Sequence, residues 1–113
     1  MKEYNAVSIR CSRITTYRYS TSFTLGIRSL ATRFQDPVYA LYAFVRFADE
    51  IVDTFNREDA ELLLAEFRRD TYQAIERGIS LNPILHSFQE VVNKYKIETE
   101  LIDTFLKSME MDL

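Results

Sequence analysis

Two aspartates in this 113-residue chain, Asp49 and Asp53, have the type and spacing that suit metal chemistry. On a helix, residues four positions apart rise by ~6 Å along one face, so both carboxylates can point into a common space. Two like charges at that spacing destabilise a helix by about 0.2–0.5 kcal/mol unless something neutralises them. Mg²⁺ takes oxygen ligands and is typically held by one or two carboxylates plus phosphate oxygens. A divalent cation, Mg²⁺ or alternatively Mn²⁺, is therefore one candidate partner for Asp49 and Asp53, and such a site would hold a diphosphate through the metal.

The two aspartates belong to a longer polar and aromatic stripe on one predicted helix. At helical steps of three and four, this stripe contains Tyr39, Tyr42, Arg46, Asp49 and Asp53. The same residues also fit a solvated helix face on which Arg46 pairs with Asp49 or Glu50, a contact that contributes only about 0.2–0.5 kcal/mol. The spacing alone leaves both interpretations open.

The chain has one cysteine and one histidine, Cys11 and His86, and this excludes several classes of site. An internal disulfide needs two cysteines, and the common zinc sites need more Cys and His ligands than are present. We expect Cys11 to be a small buried residue and His86 to lie on a helix surface. Any metal must therefore be held by carboxylates.

Apolar periodicity predicts six helices in a single all-α domain over residues 1–113. Glycine and proline number two each, which is too few for the turns of a β-sandwich or barrel. The first four helices are predicted over 7–17, 21–31, 37–55 and 59–77, the fifth from Pro83 to about Tyr95 and the sixth from near Glu98. The local signals for helix ends are Ser20-Thr21-Ser22, Asp36-Pro37, Gly78 and Asn82-Pro83.

The third helix must position both aspartates, and its apolar residues also step by three and four. This apolar stripe, which we expect to be buried, contains Val38, Leu41, Val45, Ala48, Val52 and Phe55. We assign six phenylalanines to the core: Phe44, Phe47, Phe55, Phe67, Phe88 and Phe105.

Charge and hydropathy exclude other functions. The net charge of −3 gives no basic footprint for nucleic acid. The longest uncharged apolar run, residues 38–45, is far shorter than the ~18 residues of a membrane span, so we expect a cytoplasmic protein. The chain stops after Asp112 and Leu113 without a capping residue, which we interpret as a cut inside a larger fold.

Two segments of the chain resemble the squalene and phytoene synthase family. The first is Tyr19-Ser20-Thr21-Ser22-Phe23, and the second, from Tyr39 to Asp53, reads YALYAFVRFADEIVD. The resemblance continues through residues 82–85 and 109–113, so it covers almost the whole chain, and within the family the chain looks most like bacterial phytoene synthases. It implies the N-terminal part of an isoprenoid-synthase helical fold and the head-to-head condensation of two prenyl diphosphates.

The resemblance also implies residue roles. Asp49 and Asp53 match the first aspartate-rich motif of the family, which binds Mg²⁺ and through it the diphosphate leaving group. Arg46 matches an arginine that contacts diphosphate, and Tyr42 matches a tyrosine near the reacting centre. The residues that match the family's phosphate-proximal serines and its isoprenoid pocket are Ser20, Ser22 and Phe23. For the two serines, helix capping is the structural alternative.

Two departures from the family pattern limit these expectations. Thr21 stands where the family usually has a lysine or arginine, so one positive contact to phosphate is missing. The second aspartate-rich motif of the family lies outside the chain, so we expect these 113 residues alone to be inactive. The rival interpretations are a non-catalytic assembly module and a helical bundle that forms homo-oligomers through its open face. Lipid-tailed substrates would also bring the protein into peripheral membrane contact.

Overall fold

The computed structural model describes all residues from 1 to 113 and contains six α-helices and no strand. In chain order the helices are α1 (Lys2–Tyr19), α2 (Thr21–Arg28), α3 (Thr32–Thr54), α4 (Arg57–Arg77), α5 (Pro83–Tyr95) and α6 (Thr99–Met111). The predicted all-α class and the number of helices are therefore confirmed. No helix is both long enough and apolar enough to cross a membrane.

Helix ends that depend on local chemistry lie where the sequence predicts them. The Ser20 hydroxyl caps α2 by accepting from the Phe23 backbone N–H at 3.0 Å. The Asn82 side chain caps α5 by accepting from the N–H groups of Ile84 and Leu85. Gly78 ends α4 with φ of 71°, the left-handed conformation that glycine adopts without strain.

The predicted start of α3 is wrong. The helix begins at Thr32, so Pro37 lies inside it and Asp36 does not cap it. Asp36 instead forms an ion pair with Arg13 of α1, whose Nη2 lies 2.7 Å from Asp36 Oδ1 and 2.9 Å from Oδ2. A contact between two helices thus overrides a local cap signal. The first helix begins at Lys2 instead of Val7, and α2 ends at Arg28, before the predicted end.

The core is built around an aromatic stack that joins α3, α4 and α5. The Phe44 ring lies 3.7 Å from the Phe88 ring and 5.1 Å from the Phe67 ring, measured between centroids. These rings are buried, and Phe47 and Phe105 pack half-buried against the same core. Phe55 is the exception among the predicted core phenylalanines, because it follows the last residue of α3 and is exposed.

The buried face of α3 also differs from the prediction. Its fully buried residues are Tyr39, Ala40, Ala43, Phe44 and Ala48, whereas Val45 of the predicted stripe is exposed. Alanines let neighbouring helices approach α3 closely, and α3 contacts each of the other five helices, with α1 and α5 as its main neighbours. Ala48 of the predicted stripe is buried, and Val38, Leu41 and Val52 are half-buried. The buried face therefore lies beside the predicted stripe and overlaps it at Ala48.

His86 is buried, not on the helix surface as predicted, and it joins α5 to α1. The Ser80 backbone N–H donates to His86 Nδ1 at 3.3 Å, so Nε2 carries the proton and donates to Asn5 Oδ1 at 2.7 Å. The Tyr4 ring packs 4.5 Å from the imidazole. Burial, together with the positive charge of the N-terminus, lowers the pKa of His86, so the imidazole is held neutral.

Candidate functional site

The fold brings the two motif segments together. The Phe23 ring of α2 stacks on the Tyr42 ring of α3 with 4.7 Å between centroids. One turn further along α3, the Arg46 guanidinium lies 4.6 Å above the centroid of the Tyr19 ring at the end of α1. Residues from the α1–α2 junction therefore line the face of α3 that carries the aspartates.

Arg46 is held in place on three sides. Its Nη2 donates to Glu50 Oε2 at 2.7 Å, its Nη1 lies 3.9 Å from Asp49 Oδ2, and its planar face covers Tyr19. Burial on its own would lower the pKa of Arg46, but the hydrogen bond and charge of Glu50, aided by Asp49, raise that pKa above its usual value. The ion pairing that the sequence offers as an alternative is thus present between Arg46 and Glu50.

The guanidinium of Arg46 still has donors to offer. Its Nε–H is buried without a hydrogen-bond partner. The 3.9 Å between Nη1 and Asp49 Oδ2 is an ion-pair distance and exceeds hydrogen-bond range. An anion that reaches Arg46 can therefore gain hydrogen bonds without first breaking the contact to Glu50.

Asp49 is half-buried and has one positive and two negative charges nearby. Burial raises the pKa of Asp49, Arg46 lowers it, and the charges of Asp53 and Asp112 raise it further, with a net shift upward. Asp53 is exposed on the next turn of α3. A cation placed beside these carboxylates would relieve their mutual repulsion.

Asp112 is the one site residue whose part the sequence does not indicate. It follows the end of α6, and α6 is anchored to α4 because the Tyr72 hydroxyl donates to Asp103 Oδ1 at 2.9 Å while Arg68 pairs with the same carboxylate. This anchor brings the end of α6 toward α3. No spacing rule could connect Asp112 to Asp49, because only the packing of α6 makes them neighbours.

The predicted serines have different surroundings. The Ser20 hydroxyl oxygen accepts the capping bond from Phe23 N–H, and this bond leaves the O–H of Ser20 able to donate. Ser22 and Thr21 are exposed in the first turn of α2. All three residues lie at the α1–α2 junction, within three positions of Phe23, whose ring stacks on Tyr42.

The donor set of the aspartates fits Mg²⁺. Asp49 and Asp53 offer only carboxylate oxygens, the ligands that this cation prefers. No group of three or more His, Cys, Asp or Glu side chains converges on one point in the chain. A metal held here would complete its coordination with water and with oxygens of the ligand, as Mg²⁺ commonly does.

Apolar surface adjoins the charged face. A cleft of about 160 Å³ between α3 and α6 is lined only by hydrophobic residues: Leu41, Phe44, Val45, Phe88, Ile97, Leu101, Ile102 and Phe105. Val45 stands one turn before Asp49, so the cleft and the aspartates share α3. A larger cavity, of about 1010 Å³, lies elsewhere, between α1, α5 and the end of α4, and none of the predicted site residues lines it.

The protein is thus a helical bundle in which α3 carries Arg46, Asp49 and Asp53 on one face and also lines an apolar cleft. The family model for squalene/phytoene synthase matches residues 16–113, and the chain belongs to this family. The resemblance carried by the two motif segments is thereby confirmed.

Two curated relatives show the same relationship. Presqualene diphosphate synthase of Rhodopseudomonas palustris is 27% identical over 93 residues, which cover 82% of this chain and 33% of the relative. Phytoene synthase of Rhodobacter capsulatus is 33% identical over 97 residues, which cover 82% of this chain and 28% of the relative. The chain thus spans about a third of the length of these relatives. No solved structure matches it.

Proposed function

We propose that the chain is the N-terminal part of a prenyltransferase that condenses two prenyl diphosphates head to head, as phytoene and squalene synthases do. The observation that carries the proposal is the joint placement of Arg46, Asp49 and Asp53 on one face of α3, beside the stacked rings of Phe23 and Tyr42. This face offers charge to a diphosphate and apolar walls to its prenyl tail.

Each residue has a distinct part in the proposed reaction. Asp49 and Asp53 would hold Mg²⁺, whose positive charge would neutralise the diphosphate as the allylic C–O bond ionises. Arg46 donates a hydrogen bond to the diphosphate through Nη1, whose acidic neighbour Asp49 Oδ2 lies 3.9 Å away and beyond hydrogen-bond range. The hydroxyls of Ser20 and Ser22 add neutral donors at the α1–α2 junction.

The aromatic pair has a separate task in this proposal. A ring face attracts a cation within about 6 Å of its centroid, so Tyr42 and Phe23 stabilise positive charge on the prenyl chain. The same rings keep water from the allylic cation, which water would otherwise capture. The alkene of the second substrate would then attack that cation, and loss of a proton to the released diphosphate would close the cyclopropyl ring of the intermediate.

The 113 residues alone should be inactive. The charge of the diphosphate oxygens must be neutralised by metal ions from more than one side. The chain supplies carboxylates that could hold such ions chiefly from one helix, α3. We expect no turnover when the purified chain is incubated with farnesyl or geranylgeranyl diphosphate and Mg²⁺. Measurable product would show that this part of the proposal is wrong.

The binding half of the proposal can be tested on the chain as it stands. In a titration with MgCl₂ and inorganic diphosphate followed by NMR, backbone amide shifts should concentrate at Arg46, Asp49 and Asp53. The variants Asp49→Asn and Asp53→Asn should each abolish the shifts. The matched control is the exposed acidic pair Glu66 and Asp70, which has the same spacing on α4 and should not respond.

A non-catalytic assembly module is the alternative, and the exposed apolar cleft between α3 and α6 is the observation that favours it. Such a module would form homo-oligomers through that cleft. It would show concentration-dependent dimers in analytical ultracentrifugation and no shifts at the two aspartates. Retention of both Asp49 and Asp53 favours the enzyme, which we further propose meets its lipid-tailed substrates by peripheral contact with a membrane.

A further inference from the structure

The polarity of α1 is inverted. Its inward residues Ser8, Ser12 and Thr16 are each 0% exposed, and the hydroxyls of Ser8 and Ser12 have no hydrogen-bond partner. Helices of globular proteins normally bury their apolar side and expose their polar side. Because α1 packs against α3 and α5 through small hydroxyl residues, its larger apolar side chains must face away from the core.

Those larger side chains form a single outward stripe. Val7, Ile14 and Tyr17 are 51%, 63% and 52% exposed. With Arg10 they step by three, four and three residues, which places all four on one side of the helix. The stripe is apolar apart from an arginine, and this composition is unusual for a surface that only meets water.

Charge is segregated in the same part of the chain. Residues 4–35 contain five arginines and no aspartate or glutamate, although the whole chain has a net charge of −3. Of the five, only Arg13 forms an ion pair, with Asp36. The four arginines without a carboxylate partner are Arg10, Arg18, Arg28 and Arg33.

The corner between α2 and α3 repeats this composition. Leu25, Leu30 and Phe34 are exposed there, within the same basic segment. The Arg33 guanidinium lies 4.7 Å above the Phe34 ring, so arginine and apolar surface are in direct contact. Exposed apolar side chains flanked by unpaired arginines therefore occur on two elements of this segment.

We propose that the outward face of α1 and the α2–α3 corner form a docking surface for an anionic lipid bilayer. The apolar side chains would enter the boundary between headgroups and acyl chains, and the arginines would contact lipid phosphates through long side chains that reach back to the surface. The proposal deepens the membrane contact included in the proposed function, and it does not depend on the metal chemistry of Asp49.

Charge decides between a bilayer and a second copy of the chain. In a symmetric dimer the same surface meets itself, so the arginines of two copies would face each other with Glu3 as the one acid on the outward face of α1. An anionic bilayer provides the opposite charge and the apolar environment together. Binding should accordingly weaken as salt is added.

The test is flotation of the full chain with vesicles of phosphatidylcholine containing phosphatidylglycerol, compared with vesicles of phosphatidylcholine alone. We expect binding only to the anionic vesicles. Ile14→Ser should weaken the partition roughly fivefold. The double variant R10Q/R18Q should weaken it about thirtyfold, since each arginine near a charged surface contributes roughly fivefold.

Matched controls distinguish binding through this surface from nonspecific binding of any exposed apolar or basic side chain to the vesicles. Leu62 on α4 is 63% exposed, as Ile14 is, and Leu62→Ser should bind as the unchanged chain does. Arg57→Gln with Arg69→Gln is the corresponding charge control. The proposal is overturned by absence of binding to anionic vesicles, by equal losses in the controls, or by a dimer in solution that Ile14→Ser dissociates.

The outcome is independent of the proposed function. Ile14→Ser should leave the NMR shifts at Asp49 unchanged in the titration with MgCl₂ and diphosphate. Vesicle binding without those shifts would contradict the enzyme proposal alone, whereas those shifts without vesicle binding would contradict the docking surface alone.

Discussion

Replacement of Arg46 by lysine tests whether the geometry of its guanidinium, beyond its charge, serves diphosphate binding. The Arg46 side chain is only 20% exposed, stacks on Tyr19 and donates to Glu50 at 2.7 Å. A lysine keeps the charge but has neither the planar face nor the Nε–H and Nη1 donors. The variant should still fold, because Arg46 lies opposite the aromatic core.

The expected loss follows from one charge-assisted hydrogen bond. Such a bond contributes about 1.5–3 kcal/mol, so Arg46→Lys should weaken binding of diphosphate in the presence of Mg²⁺ roughly 10- to 150-fold. Isothermal titration calorimetry with MgCl₂ held constant measures this change directly. Loss of the contacts to Tyr19 and Glu50 should also lower the free energy of unfolding, by about 1 kcal/mol after allowance for solvent screening.

Arg57 provides the control for this experiment. It forms an i,i+4 pair with Glu61 on α4, as Arg46 does with Glu50 on α3, but its side chain is 75% exposed. Arg57→Lys should change neither stability nor diphosphate affinity measurably. If Arg46→Lys lowers stability while its affinity for diphosphate stays within about twofold of the unchanged chain, Arg46 is a structural residue and the proposed role is wrong.

Three further predictions concern the fold. Phe44→Ala removes the centre of the aromatic stack, and in urea titrations it should lower the free energy of unfolding by about 3–5 kcal/mol. The control is Phe55→Ala at an exposed position, which should change that free energy by less than about 0.5 kcal/mol. Gly78→Ala should destabilise the chain by about 1 kcal/mol because φ is 71° there, although an added Cβ meets no atom within 4 Å. Gly26 lies inside α2, where alanine is the better helix former, so Gly26→Ala should stabilise the chain by about 0.5–1 kcal/mol. Folding lowers the pKa of His86, so the unfolded chain binds the proton more readily than the folded chain. The contribution of His86 to the free energy of unfolding is therefore fully present above about pH 6.5 and is lost as the pH falls through the folded pKa. His86→Gln should flatten that part of the curve of urea midpoint against pH, and an unchanged slope would contradict the assignment.

Features governed by neighbouring residues could be predicted from the sequence, and features governed by packing could not. Ser20, Gly78 and Asn82 act on backbone groups within their own turn, so their roles follow from residue type. Asp36 also stands before a proline, as a helix N-cap would, but its carboxylate forms an ion pair with Arg13 of another helix. The surface position predicted for His86 is wrong for a similar reason, since its burial depends on Asn5 and on the Tyr4 ring, both on α1.

In the candidate site too, contacts within α3 could be predicted from the sequence, and contacts between helices could not. Helical spacing predicts that Arg46, Asp49 and Asp53 share a face, and the i,i+4 rule predicts the contact with Glu50. The stacking of Tyr19 on Arg46 and of Phe23 on Tyr42 requires the turn between α1 and α2 to fold back onto α3, which only the tertiary structure shows. The same is true of the charge that Asp112 adds near Asp49.

The two faces of α3 separate stability from the proposed chemistry. The face formed by Ala40, Ala43 and Phe44 is buried against neighbouring helices, whereas Asp49 is only half-buried and Asp53 is exposed. Removal of a carboxylate from the second face relieves repulsion and leaves no core cavity, so Asp49→Asn and Asp53→Asn should not destabilise the chain. Loss of metal and diphosphate binding in these variants can therefore be interpreted as loss of ligands, because the Glu50 hydrogen bond and the Tyr19 ring still hold Arg46.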